Sequence, residues 1–191
     1  MVVIGLVGLD GSGKDEMAAY LSRKCAVPAV SAGDVARRIA ERESRPPTGA
    51  NLREISERCI RGYGKDFFMT SLIEWIEQEG WTIALINGIR TPADVATLRE
   101  RFGSDFYLVH IRVGDAALRF ERVRRRGELR DPDEYEEFLE GDRAEEEAFR
   151  VSETIKKADL TVGNDSTLEA FHREIDGKII GRLLKGKAAC G

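Results

Sequence analysis

The chain has two histidines, His110 and His172, and three cysteines, Cys25, Cys59 and Cys190, in 191 residues. One histidine falls in an apparent strand and the other in an apparent helix, so histidine-based acid–base catalysis is not expected. Three cysteines far apart and odd in number indicate neither a disulfide framework nor a zinc site, and core packing accounts for Cys25 and Cys59. Positive charge is not in excess either: 30 basic against 34 acidic residues give a formal charge of -4 and a pI near 5.4. That balance argues against a general nucleic-acid binder. No apolar run approaches the length of a membrane span, and the N-terminus enters a strand without a basic region or cleavage site, so the expected location is the cytoplasm. Internal repeats and low-complexity tracts are missing as well. With 42% hydrophobic residues the chain suits one globular domain with a sizeable core.

What is present starts at the second residue. Val2, Val3, Ile4, Leu6 and Val7 form an apolar, β-branched run, and Met17, Ala18, Leu21 and Cys25 repeat at the spacing of one helical face. Between them Gly8, Gly13 and Lys14 stand in GxxxxGK spacing, the P-loop pattern. Gly8, Gly11, Ser12 and Gly13 allow backbone N–H groups to curl around polyphosphate oxygens, Lys14 reaches the outer phosphates, and Asp15 and Glu16, which open the helix that follows, complete the expected nucleotide-binding set. Position 15 departs from the pattern: Asp15 stands where Ser or Thr normally holds magnesium. A carboxylate is a hard oxygen ligand for Mg2+, and an acid in a first helical turn also suits the macrodipole, so both roles stay open.

Further apolar runs at Val27–Val30, Trp81–Asn87, Phe106–Val113 and Ala158–Val162 alternate with helical patterns. This order predicts an α/β, three-layer P-loop NTPase fold: a five-stranded parallel sheet with helices on both faces. Ligands of such sheets collect at the C-terminal ends of the strands. Ser31-Ala32-Gly33-Asp34 ends the second strand and leads to Arg37; Asn87-Gly88-Ile89-Arg90 ends the third. An arginine fork at either place suits an acceptor phosphate. Thr91, before Pro92 and three residues from Asp94, reads as a helix cap. Residues 44–65, which begin with the Pro/Gly break SRPPTGA, predict a helical acceptor-side insertion within the single domain 1–191. Residues 127–142 predict a short lid, preceded by Arg122 and Arg126 on one helical face and supplied with further cations by Arg130, Arg143 and Arg150. Ser166 with Glu169 reads as a capping box for the last helix, whose tail frays from Lys185.

The assembled motifs resemble the nucleoside monophosphate kinases, adenylate kinase in particular, and among them an archaeal adenylate-kinase-like family sometimes labelled dephospho-CoA kinase-related. The likeness spans nearly the whole chain. It implies that Gly33, Asp34, Arg37 and Arg90 form the acceptor site, that Arg122 and Arg126 clamp the donor nucleotide, and that Arg143 with Arg150 closes on the transferring phosphoryl. Lys14, Arg90, Arg126 and Arg143 are then the catalytic set. Asn87 stands where the family has a strand-end aspartate, so one carboxylate has in effect moved from that strand to Asp15. The resulting expectation is magnesium-dependent transfer of the γ-phosphoryl of ATP, or a similar nucleotide, to a phosphate-bearing acceptor. Its partners are then small molecules, with no nucleic acid and no membrane, and oligomeric state is not legible. Two alternatives stay open: an alcohol kinase such as dephospho-CoA kinase, with Asp34 or Asp10 as base, and a nucleotide-binding regulatory protein with little turnover. The chain has no NKxD base-recognition motif of the kind GTPases carry.

Overall fold

The computed structural model describes residues 1–128 and 131–186. Arg130 of the expected lid, Cys190 and the tail beyond Gly186 lie outside the described residues.

Five parallel strands, β1 (Val2–Val7), β2 (Ala29–Val30), β3 (Ile83–Asn87), β4 (Phe106–Arg112) and β5 (Leu160–Gly163), form one sheet in the order β2-β3-β1-β4-β5. All six residues of β1 are buried, as expected of a central parallel strand covered on both faces. Because the side-chain period of a strand is two, β1 feeds two separate cores. Val2, Ile4 and Leu6 pack with Met17 and Leu21 of α1 (Lys14–Cys25) and with Phe171 and Ile175 of α9 (Leu168–Ile175). Val3 and Val7 pack on the other face with Leu72 and Ile76 of α4 (Phe67–Gln78) and Leu98 of α5 (Pro92–Phe102). The remaining helices are α2 (Ala32–Arg42), α3 (Gly49–Tyr63), α6 (Ala116–Arg126), α7 (Tyr135–Phe149) and α8 (Val151–Ile155). This is the predicted three-layer architecture.

Local differences have local causes. β2 is two residues long because Pro28 has no N–H to pair, although its carbonyl accepts from Leu85 at 2.9 Å. Trp81 stays outside β3, its N–H bonded back to Ile76 at the end of α4. The last helix is capped by Thr167, whose hydroxyl accepts from Ala170 N, and not by Ser166. Beyond Ile175 it continues in π-type winding over Asp176–Leu184. Cys25 is buried and disulfide-bonded, a link that three widely spaced cysteines do not announce; Cys59 is a buried free thiol. Residues 44–65 contain α3, which joins α2 through a small cluster of Ala36, Ala40, Ile55 and Cys59. The segment read as a lid contains the first half of α7, seated on α6 through Phe120, Val123 and Phe138. No helix among the described residues is long and apolar enough to cross a membrane.

Candidate functional site

Between β1 and α1 the chain makes its phosphate-binding turn at the C-terminal edge of the sheet. Gly11 (φ 72°) and Gly13 (φ 101°) adopt backbone conformations that side chains disfavour, so the loop depends on glycine there. Crowding reinforces this: a Cβ on Gly13 would lie 2.5 Å from Asn164 Nδ2, and one on Gly11 the same distance from the Arg119 carbonyl. A Cβ on Gly8 would lie 2.8 Å from the Ile111 carbonyl. Ser12 is 1% exposed and its Oγ has no hydrogen-bond partner, an orphaned donor within the loop.

Lys14 turns into the loop. Its Nζ donates to the carbonyls of Gly8 at 2.7 Å and Leu9 at 3.0 Å. Burial pulls its pKa below the ordinary lysine range, opposed by the charges of Asp10, Glu145 and Asp15 and assisted by Arg90.

Three arginines of α6 surround the loop, each with internal partners. Arg119, only 5% exposed, donates to Asp142 through both terminal nitrogens at 3.0 and 2.5 Å and to the Asp10 carbonyl at 3.0 Å. Its guanidinium also lies 4.9 Å from the Phe138 ring centroid. Arg122 donates to the Asn164 carbonyl at 2.9 Å, while its other terminal nitrogen is buried without a partner. Arg126 bonds the Asp131 carboxylate at 2.5 Å and both oxygens of Asp10 at 3.2 Å. For Asp10 burial acts to raise the pKa, but the Arg126 hydrogen bond and charge, Lys14 and the Gly11 N–H prevail and hold it below 3.8.

Across the site, Asn87 at the end of β3 donates to Asp15 Oδ1 at 2.6 Å, so the two departures from the family pattern meet. The Asn87 Oδ1 is buried and unpartnered. Arg90 follows on a turn pinned by the buried Thr154, whose hydroxyl donates to the Arg90 carbonyl at 2.8 Å. Its side chain passes 5.1 Å from the Phe149 ring centroid and 3.9 Å from Glu145. Arg37 lies one turn along α2 from Gly33 and pairs with Asp34 at 2.7 Å; Asp34 also accepts from Ser31 Oγ. Thr91 caps α5 with Asp94 in a reciprocal box, as predicted.

Three expected residues stand apart. Glu16 is engaged by His172 at 2.8 Å and Arg23 at 3.2 Å, on the outer side of α1. Arg143 is exposed and bonds no described residue, and Arg150 pairs with its neighbour Glu153. The helical phase explains the difference. Phe138, Asp142, Glu145 and Phe149 share the inward face of α7, and Arg143 is turned about 100° away from Asp142. Sequence reasoning missed Arg119, Asn164 and Glu145. Arg119 was legible as one further turn of the Arg122/Arg126 face; the other two carry no local signal.

Residues 7–139 match the family described as AAA domain. The chain is 33% identical to the UPF0200 protein of Pyrococcus horikoshii, over 96% of this chain and 98% of that one. It is 35% identical to the UPF0200 protein of Methanoculleus marisnigri, over 92% and 93% of the two chains. Among solved structures it is similar to shikimate kinase from Bacteroides thetaiotaomicron, with TM-score 0.63, 15% identity and coverage of 96% and 98%. A gluconokinase from Sinorhizobium meliloti is also similar, with TM-score 0.57, 15% identity and coverage of 97% and 94%. At such identities the likeness is one of fold, and the fold is that of the P-loop kinases. The chain therefore belongs to the UPF0200 family and, through residues 7–139, to the AAA-domain family, built on a P-loop kinase fold.

Proposed function

We propose that this protein is a phosphotransferase that moves the γ-phosphoryl of ATP, or a similar nucleoside triphosphate, to a phosphate-bearing acceptor, a nucleoside monophosphate. The observation that carries the reading is the 2.6 Å hydrogen bond from Asn87 to Asp15, which ties the end of β3, three residues before Arg90, to the first turn of α1 beside Lys14. An oxygen of the acceptor phosphate attacks the γ-phosphorus as its bond to the β–γ bridging oxygen breaks, and the nucleoside diphosphate leaves with that electron pair. Such an acceptor is already an anion, so the step needs no general base. Asp10 is a poor base in any case, because its cationic neighbours lower its affinity for a proton. In this reading the loop amides and Lys14 hold the donor, Arg126 and Arg122 offset charge on its phosphates, and Arg37 and Arg90 present the acceptor.

Magnesium fits the residues present. Asp15 and the unpartnered Asn87 Oδ1 offer hard oxygens at the loop's edge, and no group of three or more acid, His or Cys side chains gathers among the described residues. A cation held by one or two protein oxygens and otherwise by phosphates and water is the ordinary magnesium arrangement, and it would neutralise charge on the phosphates. The test is a transfer assay with a radiolabelled γ-phosphate donor, offering nucleoside monophosphates and dephospho-CoA side by side. Labelled nucleoside diphosphate is the expected product. Label on the hydroxyl of dephospho-CoA alone would move the assignment to an alcohol kinase; tight ATP binding without transfer would leave a regulatory nucleotide binder.

A further inference from the structure

A groove of about 850 Å³ runs along the outer edge of β2, the edge strand of the sheet, between α2 and α4. Arg37, Arg38, Trp75 and Trp81 are among the residues that line it. Trp75 and Trp81 are the two tryptophans of the whole chain. Their ring centroids lie 6.4 Å apart at 39°, and the Arg38 guanidinium carbon is 4.0 Å from the Trp75 centroid. Arg38 makes no hydrogen bond or ion pair with any described residue, so its N–H donors remain available above an aromatic floor. The groove also contains Arg45, neutralised by Glu54 at 2.6 Å, and the Asp34 carboxylate engaged by Arg37.

We propose that this groove receives the aromatic ring of the acceptor, a nucleobase-type heterocycle, while Arg37 in its lining takes the acceptor phosphate; this rests on the phosphotransferase reading above. Indole faces and a guanidinium plane are a stacking surface for a flat ring. The unbonded N–H groups of Arg38 suit the carbonyl and ring-nitrogen acceptors at such a ring's edge. The volume lies within the range of small-molecule sites. An added peptide strand is disfavoured, because β2 offers only two residues to pair with.

Intrinsic fluorescence tests this directly, since both reporters line the groove. The protein is titrated, without donor, with AMP, GMP, CMP and UMP, and with ribose phosphate as the ring-free control. Quenching by one or more nucleotides and none by ribose phosphate is expected. Trp81→Leu should weaken that binding about tenfold, the scale of one lost base–aromatic stack, and Trp81→Phe should restore most of it. Arg38→Ala should raise the KM for the acceptor several-fold and leave kcat near wild type, a split that a fold defect would not give. Phosphorylation of nucleotides with unchanged emission and unchanged KM in these variants would overturn the groove assignment and leave the kinase reading intact. A nucleotide that quenches but is never phosphorylated would make the groove an effector site and overturn it too. No transfer to any acceptor would sink the kinase reading whatever the emission does.

Discussion

Arg119 and Arg126 lie against the phosphate loop with side chains 6% and 24% exposed and with Asp142, Asp10 and Asp131 as partners; Arg37 and Arg90 stand 55% exposed, each beside one carboxylate. On the proposed reading the donor end is thus assembled before any ligand arrives, while the acceptor end is solvated. Preorganised charge stabilises a developing anion without reorganisation cost. Solvated arginines leave room for a substrate to enter, and the entropy of fixing them is lost on binding. On that reading one side of the site holds a polyphosphate rigidly and the other admits and releases a second anion.

Breaking the donor end should cost the most. Arg119→Met strips the partly buried Asp142 carboxylate of its two hydrogen bonds and should destabilise the fold by about 1–3 kcal/mol, read in thermal or chemical denaturation. Adding Asp142→Asn should recover much of that loss; a double variant no better than the single one would mean that the pair is not the source. Lys14→Met should lower kcat by roughly 10²- to 10³-fold while leaving the melting temperature near wild type.

The Asp10–Arg126 link sets a pH dependence. Because the native carboxyl titrates below its ordinary 3.8, the folded state binds fewer protons than the unfolded chain there. The stability it contributes is whole above about pH 4 and is lost as pH falls through the lower native value. Asp10→Asn should flatten denaturation midpoints across that acid window; an unchanged slope would refute the link.

At the acceptor end, Arg37→Ala should shift stability by less than about 0.5 kcal/mol, as expected for an exposed pair, and express itself in the acceptor KM. Equal losses of stability at Arg37 and Arg119 would erase the contrast. Asp15→Ser alone should raise the magnesium concentration needed for half-maximal turnover, and Asp15→Ser with Asn87→Asp should lower it again, returning the carboxylate to the strand. If the double variant needs more magnesium than the single one, the exchange has no functional content.

Legibility followed the range of the interactions. The strand, the glycine turn and Lys14 are contiguous, and alternating patterns of period two and period 3.6 made the layered sheet readable. Thr91 and Asp94 formed their cap as read, because a cap is settled within four residues. Ser166 lost its cap to Thr167 because both are competent and the docking of α9 chose between them. The direction of Arg143 was illegible for a related reason: the phase of α7 is set by seating Phe138 on α6, and nothing near Arg143 records that.

By itself, the amino-acid sequence determined the phosphate-binding turn, since glycine conformations and a lysine at fixed spacing are local chemistry, and it determined the alternation that yields a parallel sheet. Only the tertiary structure decided that Asn164 buttresses that turn from 152 positions away, and that Asp15 and Asn87 share a hydrogen bond. It also decided which charges on α7 face inward. Those outcomes depend on how helices seat against a common sheet, and the packing of distant surfaces leaves no mark on any short stretch of chain.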